Sequence, residues 1–294
     1  MRLQKGTISF QDCKDQKYRL WRYFDCGNVL FCYTGSMKLI DAHTHVQLRQ
    51  FNPDRDEVIK RAVEQDIWMV NVGTTRKDSQ AAVDLCEAYA EGVFASIGQH
   101  PDEREIFDYD WYMRTGAHEK VVAIGECGLD YYRVEPHLFN DERDRQIELF
   151  QQHIELAKEL GKPLMVHCRE AFSDVKSVMR KEIGDLSADV PGILHFFTGT
   201  KEDAKTFLDF GFMFTFGGLI TFNREFDEIL RYIPKERIMI ETDAPFVTPD
   251  PYRGKRNEPA YVIEVAKALA EVRRAPFEDV CKQTTQNAKS AFGI

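Results

Sequence analysis

The segment Lys38-Leu39-Ile40-Asp41-Ala42-His43-Thr44-His45 joins a short apolar run to two histidines. Its first half is typical of a buried strand in a parallel sheet, because its apolar residues lack the regular polar alternation of a half-exposed strand. The spacing of His43 and His45 points both imidazole rings to one face, where two nitrogen ligands can converge on one ion. The segment therefore predicts a buried strand that ends in half of a metal site.

Seven further apolar runs follow this strand, and amphipathic stretches lie between them. The eight predicted strands cover residues 38–42, 67–72, 93–97, 121–124, 163–166, 192–194, 212–216 and 237–240. Helices are predicted at residues 54–65, 78–91, 142–161, 171–181, 227–232 and 259–271. Eight parallel strands in about 250 residues close into a (β/α)8 TIM barrel, whose active site lies at the carboxyl ends of the strands. We therefore predict this α/β fold, with a doubly wound open sheet as the alternative.

Residues 1–36 do not follow this alternation of strands and helices. They carry short aromatic-rich segments and three of the seven cysteines. We predict a short N-terminal extension at residues 1–36, folded as a small hairpin against the floor of the barrel, and the barrel itself at residues 37–294.

Composition restricts the compartment and the class of substrate. No apolar run approaches the roughly 18 residues of a membrane span, and the N-terminus lacks the layout of a signal peptide, so we expect a cytoplasmic protein with no membrane partner. Seven cysteines without a C-x-x-C pair favour reduced thiols. A formal charge of −9 opposes nonspecific coating of nucleic acid, because that mode needs many cations against phosphates. A phosphate substrate would therefore need a local positive site.

Three more histidines and two carboxylates follow later strands of the predicted barrel. His100 follows the third strand, Glu126 the fourth, His167 the fifth, His195 the sixth and Asp243 the eighth. A single histidine in such a place is often only a hydrogen-bonded core or surface residue. A barrel, however, brings these strand ends around one axis, so the joint pattern favours a metal site.

Without His100, which is not needed as a ligand, these residues provide six candidate ligands. One four-coordinate ion needs fewer, so the pattern predicts two divalent ions bridged by a carboxylate. We assign one ion to His43, His45, Glu126 and Asp243, and the other to Glu126, His167 and His195. Asp41 is interpreted as a further ligand or, preferably, as a group that orients a histidine ring. Two divalent ions against two carboxylates leave the pocket positive, so an acidic protein can still hold a phosphate.

The sequence resembles the TatD-type metal-dependent deoxyribonucleases, which lie within the amidohydrolase-like barrels. The resemblance runs from about residue 38 to residue 294, and one departure is Phe196, where many relatives have a cysteine. Seven ordered blocks carry it: DAHTH (41–45), GQHP (98–101), IGECGLDYY (124–132), VHCR (166–169), HFFTG (195–199), ETDAP (241–245) and RGKRNEP (253–259).

This resemblance implies a (β/α)8 barrel that hydrolyses phosphodiesters with divalent metal, and DNA as the usual substrate, often digested from a 3′ end. The metal ligands of the family fall on the same six residues that the spacing selects. The partner implied is single-stranded DNA or DNA with 3′ ends. The extension at residues 1–36 has no counterpart in the resemblance.

Roles follow for the residues around the predicted ions, which are Mg, Mn or Zn. We expect Asp243 to accept the proton of the attacking water and Glu126 to act with it as the bridging catalytic carboxylate. His100 either binds a substrate phosphate or the leaving oxygen, or supports the turn at Pro101. Arg169 either clamps a phosphate or forms a structural ion pair with Glu126 or another carboxylate.

Two more groups are interpreted as candidates for substrate binding. The loop cations Arg253, Lys255 and Arg256 either bind phosphate or form an ordinary solvated surface. Tyr131 and Tyr132 either stack on bases or pack over the barrel rim.

Two other functions remain open at this stage. A similar ion pair could serve an amidohydrolase or a D-aminoacyl-tRNA deacylase. A barrel without catalytic activity, acting as a binding protein, is the third possibility. The sequence does not distinguish DNA from RNA, exonuclease from endonuclease action, or one oligomeric state from another.

Overall fold

The computed structural model describes residues 23–26, 29–32, 38–182 and 191–294. Contacts divide the chain into two compact units, Met1–Ser36 and Met37–Ile294. In the first unit, strand β1 (Tyr23–Cys26) pairs antiparallel with β2 (Val29–Cys32), as the predicted hairpin requires. The placement of this hairpin on the barrel floor, and the separation of an extension from a hydrolase domain, stay predictions.

The strands of the second unit form one parallel sheet in which each strand pairs with the next one along the chain. They are β3 (Leu39–Thr44), β4 (Ile67–Val72), β5 (Val93–Ile97), β6 (Val121–Asp130), β7 (Leu164–Arg169), β8 (Gly192–Leu194), β9 (Met213–Phe216) and β10 (Ile238–Ile240). All eight lie close to the predicted positions, but β6 extends to Asp130 instead of ending at Ile124.

Main-chain hydrogen bonds connect the first and last strands of this sheet just beyond their ends. The amide of His45 donates to the carbonyl of Ala244 (2.8 Å), and the amide of Asp243 donates to the carbonyl of His43 (2.9 Å). The sheet therefore closes on itself. The predicted (β/α)8 barrel is confirmed, and the doubly wound alternative is wrong.

Helices follow the strands and, except for the last one, cover the outside of the barrel. Those in the described residues are α1 (Arg55–Val63), α2 (Arg76–Glu87), α3 (Tyr109–Gly116), α4 (Phe139–Leu160), α5 (Phe172–Glu182), α6 (Lys201–Asp209), α7 (Asp227–Tyr232), α8 (Val262–Arg273) and α9 (Phe277–Phe292). Helix α4 ends at Gly161, whose left-handed backbone (φ 62°) suits a glycine at a helix end. Within the described part of the chain, no helix is long and apolar enough to cross a membrane.

Helix α9 closes the end of the barrel at which the strands begin. Its residues Ala288 and Phe292 cluster with apolar side chains from seven strands, among them Ile40 and Met239. The side-chain amide of Asn287 also donates to the carbonyl of Ile238 at the start of β10 (2.6 Å). Because this end is filled, the open end of the barrel is the one where the predicted ligands lie.

Candidate metal centre

All six predicted ligands lie together at the carboxyl ends of the strands. His43 and His45 come from the end of β3, Glu126 from β6 and His167 from β7, while His195 and Asp243 directly follow β8 and β10. Their side chains are between 0% and 17% exposed. The barrel thus brings together residues that are up to 200 positions apart in the sequence.

His43, His45 and Asp243 form a first ligand group. The Nε2 atoms of the two histidines are 3.0 Å apart, and Oδ1 of Asp243 lies 3.4 Å from that of His45 and 3.8 Å from that of His43. His167 and His195 form a second ligand group, with Nδ1 of His167 3.0 Å from Nε2 of His195.

Glu126 lies between the two groups and faces each with a different oxygen. Its Oε2 is 3.5 Å from Nε2 of His43 and 3.7 Å from Nε2 of His45. Its Oε1 is 2.9 Å from Nδ1 of His167 and 3.0 Å from Nε2 of His195. Nitrogen and oxygen donors about 2.0–2.2 Å from a tetrahedral ion stand about 3.4 Å from one another, so these separations fit a divalent cation.

The charges in this cluster depend on one another because the groups are buried together. Burial alone would raise the pKa of Glu126, but the charge of His195 and hydrogen bonds from the surrounding histidines hold that pKa well below its usual range. Burial likewise opposes the charged form of His195, yet Glu126 and Glu241 raise the pKa of this imidazole well above its ordinary value. The carboxylate therefore favours positive charge around it, whether this charge is carried by protons or by a metal ion.

Hydrogen bonds hold two of the histidine rings, and a buried carboxylate lies near a third. Nδ1 of His45 lies 2.7 Å from the carbonyl oxygen of Val72, which turns Nε2 toward the cluster. Nε2 of His167 lies 3.0 Å from Oδ2 of Asp130, and Nδ1 of His195 lies 3.7 Å from Oε1 of Glu241. Partners of this kind fix the orientation of metal-binding imidazoles. Sequence reasoning did not single out Asp130 and Glu241, although both are charged residues at strand ends within the blocks quoted above.

Asp41 has a role different from the one expected. Its carboxylate accepts hydrogen bonds from the amide (2.7 Å) and the hydroxyl (2.5 Å) of Thr242, and Oδ1 lies 3.4 Å from the amide nitrogen of His43. The structure therefore does not bear out the expected contact of Asp41 with a histidine ring, and a role as a metal ligand stays a prediction. Instead, Asp41 connects β3 to the segment that carries Asp243.

The backbone at Asp243 is held in a conformation that is uncommon for a residue with a side chain. Its φ is 55°, in the left-handed region. The side-chain amide of Asn257 donates to the carbonyls of Thr242 (2.8 Å) and Phe246 (2.7 Å), on either side of the turn. Such conformations persist where the surroundings enforce them, often at functional sites. Asn257 is thus a second residue that positions Asp243.

Gly125 lets Glu126 reach its place between the two ligand groups. Its φ is 147°, and a Cβ at this position would lie 2.2 Å from the carbonyl oxygen of Met165 on the neighbouring strand. A side chain there would push β6 away from β7. The glycine before the central carboxylate is therefore required by the close approach of these strands.

Two of the predicted substrate-binding residues lie beside this cluster. Nε2 of His100 is 3.6 Å from Oε1 of Glu126. The guanidinium of Arg169 is exposed and stacks on the ring of Tyr132, with Cζ 3.5 Å from the ring centroid. Within the part of the chain that the structure describes, no carboxylate lies in salt-bridge distance of Arg169. The structure thus shows no ion pair between Arg169 and Glu126.

The three predicted phosphate-binding cations of the loop after β10 have different partners. Arg256 is bound by Asp54 through both guanidinium nitrogens (2.8 and 2.7 Å), as in a structural ion pair. Arg253 lies over the ring of Phe222, and Lys255 lies near the ring of Tyr252; both cations are exposed. Phosphate binding stays a prediction for all three, and Arg253 and Lys255 are the ones whose charge is available.

The chain is similar to several known proteins. The family model described as "TatD related DNase" matches residues 40–293. The chain is 41% identical over 262 residues to a Bacillus subtilis protein named "Uncharacterized metal-dependent hydrolase YabD", covering 87% of this chain and 99% of the relative. It is 32% identical over 268 residues to the "3'-5' ssDNA/RNA exonuclease TatD" of Pantoea ananatis, with 87% and 100% covered. The crystal structure of YjjV, a TatD homolog from Escherichia coli, has a TM-score of 0.78 at 25% identity, with 87% of this chain and 98% of that chain covered.

Proposed function

The chain belongs to the TatD-related DNase family, and from this premise we propose that it is a divalent-metal-dependent hydrolase that cleaves phosphodiester bonds in single-stranded DNA, as a 3′-5′ exonuclease. The observation that supports this proposal most directly is the position of Glu126. Its two oxygens face two separate groups of nitrogen and oxygen donors, which is the arrangement a carboxylate between two cations needs.

The proposal assigns two divalent ions, Mg, Mn or Zn, to the cluster. His43, His45, Glu126 and Asp243 would hold one ion, and Glu126, His167 and His195 the other. When bound, such ions lower the pKa of a water and withdraw negative charge from phosphoryl oxygens. No cysteine is among the donors, and imidazole and carboxylate suit all three metals.

The protein's own groups would then handle the proton and the substrate. Asp243 is the more exposed of the two carboxylates, 16% against 5% for Glu126, so it can meet a water molecule and accept its proton. Glu126 is the more enclosed, which suits a carboxylate that keeps the two ligand groups together.

His100 would donate a hydrogen bond to the substrate. Its Nδ1 accepts from the amide of Asp102 (3.2 Å), so in the neutral ring the hydrogen is on Nε2, which faces the cluster. Burial lowers the pKa of His100 to about 4, so the ring is neutral near pH 7. A neutral donor of this kind suits a phosphoryl oxygen or the leaving oxygen.

The experiment that tests this function is metal analysis joined to digestion assays. Purified protein is incubated with single-stranded DNA, single-stranded RNA, D-aminoacyl-tRNA and a panel of amides, each with and without EDTA. We expect mononucleotides to be released from the 3′ end of DNA, and EDTA to stop the release. Hydrolysis of amides or aminoacyl esters without nucleotide release would replace the proposal with the amidohydrolase or deacylase alternative. If the metal-loaded protein hydrolyses none of these substrates, the result would support the third possibility, a barrel without catalytic activity that acts as a binding protein.

A further inference from the structure

Among residues 38–182 and 191–294, the exposed large apolar side chains lie at one end of the barrel. Within these residues, six large hydrophobic side chains are exposed, by 38% to 95%. All of them lie between the end of a strand and the start of the following helix, or at the first residue of that helix, which is the end that carries the candidate metal centre. They are Ile106, Tyr132, Leu138, Phe139, Phe222 and Phe246. This one-sided distribution indicates a surface that contacts a ligand.

Tyr132 is connected to the second ligand group. Its amide donates to Oδ1 of Asp130 (2.9 Å), while Oδ2 of the same carboxylate lies 3.0 Å from Nε2 of His167. The residue as a whole is 49% exposed. Tyr131 differs from its neighbour, because its hydroxyl donates to Asp174 (3.0 Å) and its side chain packs against the core. Of the two tyrosines, Tyr132 is therefore the one available to a ligand, on the part of its ring that Arg169 does not cover.

Phe246 adjoins the first ligand group. Its ring is 46% exposed and meets the ring of His45 edge to face, with 6.2 Å between the centroids. One exposed aromatic ring thus stands beside each of the two groups that Glu126 connects. A phosphate held between the groups would have a ring available for the base on either side of it.

Cations accompany two of the exposed rings. Arg169 stacks on Tyr132, and Cζ of Arg253 lies 4.1 Å from the centroid of Phe222. In the described part of the chain, neither guanidinium has a carboxylate partner in salt-bridge distance. An arginine stacked on an aromatic ring and free of carboxylates suits a strand that offers bases and phosphates alternately.

We propose that Tyr132 and Phe246 are base-stacking positions on the two sides of the phosphate that is cleaved, and that Phe222 with Arg253 continues the same surface for a single strand. This inference rests on the proposed function and names how the substrate is held. Stacking tolerates every base, because each has a π face, so the enzyme would accept single strands of any sequence. A duplex would bind less well, since its bases are already stacked and paired.

The test is a binding measurement that isolates the bases. Metal-loaded protein is titrated into a fluorescent oligothymidylate whose phosphorothioate linkages resist cleavage, and into an abasic strand of the same length. We expect Tyr132→Ala and Phe246→Leu each to weaken binding of the thymidylate about 10-fold, as the energy of base stacking predicts. Binding of the abasic strand should change less, so the ratio of the two affinities should fall. Tyr132→Phe, which keeps the ring, should bind as the wild type does.

A matched control is at the other end of the barrel. Lys38 lies over the ring of Trp68, with Nζ 3.6 Å from the centroid, so Lys38→Ala removes a cation from an aromatic contact away from the proposed surface. Lys38→Ala should leave the ratio of the affinities for the thymidylate and the abasic strand unchanged. Arg169→Ala removes the same charge on the proposed surface and should weaken binding of both strands.

Two outcomes overturn the inference. One is that Tyr132→Ala and Phe246→Leu bind the thymidylate as the wild type does. The other is that they weaken the thymidylate and the abasic strand equally, as expected if this surface served another partner. The digestion assay keeps the two proposals apart. If wild-type protein binds the thymidylate better than the abasic strand but releases no nucleotides, the stacking surface is supported and the proposed hydrolysis is contradicted. If it releases nucleotides but binds both strands equally, only the stacking surface is contradicted.

Discussion

Asp41 on the first barrel strand accepts hydrogen bonds from both the amide and the hydroxyl of Thr242, a residue 201 positions later in the chain. Both residues are fully buried. This contact connects the two edges of the sheet directly before Asp243, so the closure of the barrel and the position of the proposed base depend on the same pair.

Replacing Asp41 should therefore affect stability and the site together. Asp41→Ala leaves a buried amide and a buried hydroxyl without an acceptor, which costs about 1–3 kcal/mol for each group. We expect the free energy of unfolding, measured in urea, to fall by about 2–6 kcal/mol. Thr242→Ser keeps the hydroxyl and is the matched control. An unchanged urea midpoint for Asp41→Ala would contradict this account.

Asp243→Asn tests the proposed proton acceptor. The substitution keeps the size of the side chain but removes most of its basicity, so kcat on single-stranded DNA should fall by a factor of about 100 to 10,000. Circular dichroism should show the same fold, because the side chain is at the open end of the barrel. Turnover at the wild-type rate would remove Asp243 from this role.

Glu126→Gln should have a different effect from Asp243→Asn on metal content. If Glu126 contacts both ions, its loss weakens two sites, whereas Asp243 belongs to one. Metal analysis after exhaustive dialysis should find a lower metal-to-protein ratio in Glu126→Gln than in Asp243→Asn. Equal losses in the two variants would argue against the bridging position.

Asp130 is expected to act on metal binding through His167. Removing its carboxylate in Asp130→Ala frees the imidazole, and losses of such partners typically lower metal affinity about 10- to 100-fold. Competition with a fluorescent chelator measures this affinity without any assay of activity. Asp102→Ala provides a nearby control, because it also removes a carboxylate, one that lies 3.9 Å from His100 and forms no hydrogen bond with His167. If both variants bind metal as tightly as the wild type, Asp130 does not position His167.

The sequence could select the six proposed ligands because they are residue types with few structural uses at the end of a buried strand. His43, His167 and Asp243 each follow an apolar run, and a barrel places all such ends around one axis. The six proposed ligands could therefore be selected before their distances were known.

Other features depend on contacts that no local pattern encodes. The sequence pattern ended the fourth barrel strand at Ile124, yet β6 continues through Glu126 to Asp130, because partners from other strands accommodate these buried carboxylates. Likewise, nothing distinguishes Tyr131 from Tyr132 in the sequence. Only the contact with Asp174 and the exposure of the second ring separate a packing role from a binding role.

His153 provides a prediction about pH that is independent of the metal centre. The side chain is fully buried on α4; its Nε2 accepts from the amide of Gln99 (2.9 Å), and its Nδ1 lies 2.8 Å from the carbonyl of Leu149. Burial lowers the pKa of His153 from 6.5 to about 4. Between about pH 4 and pH 6.5, His153 therefore binds a proton in the unfolded chain but not in the folded chain.

Because the unfolded state holds more protons, the contribution of His153 to stability is present above pH 6.5 and is lost as the pH falls toward 4. The loss amounts to about 3 kcal/mol across this window. His153→Gln places an amide oxygen where it can accept from Gln99 and does not titrate, so its unfolding free energy should fall less steeply than that of the wild type. His137→Gln, which removes an exposed histidine, should follow the wild type. Urea unfolding at a series of pH values measures the difference, and parallel curves for His153→Gln and the wild type would show that His153 is not the source of the acid sensitivity.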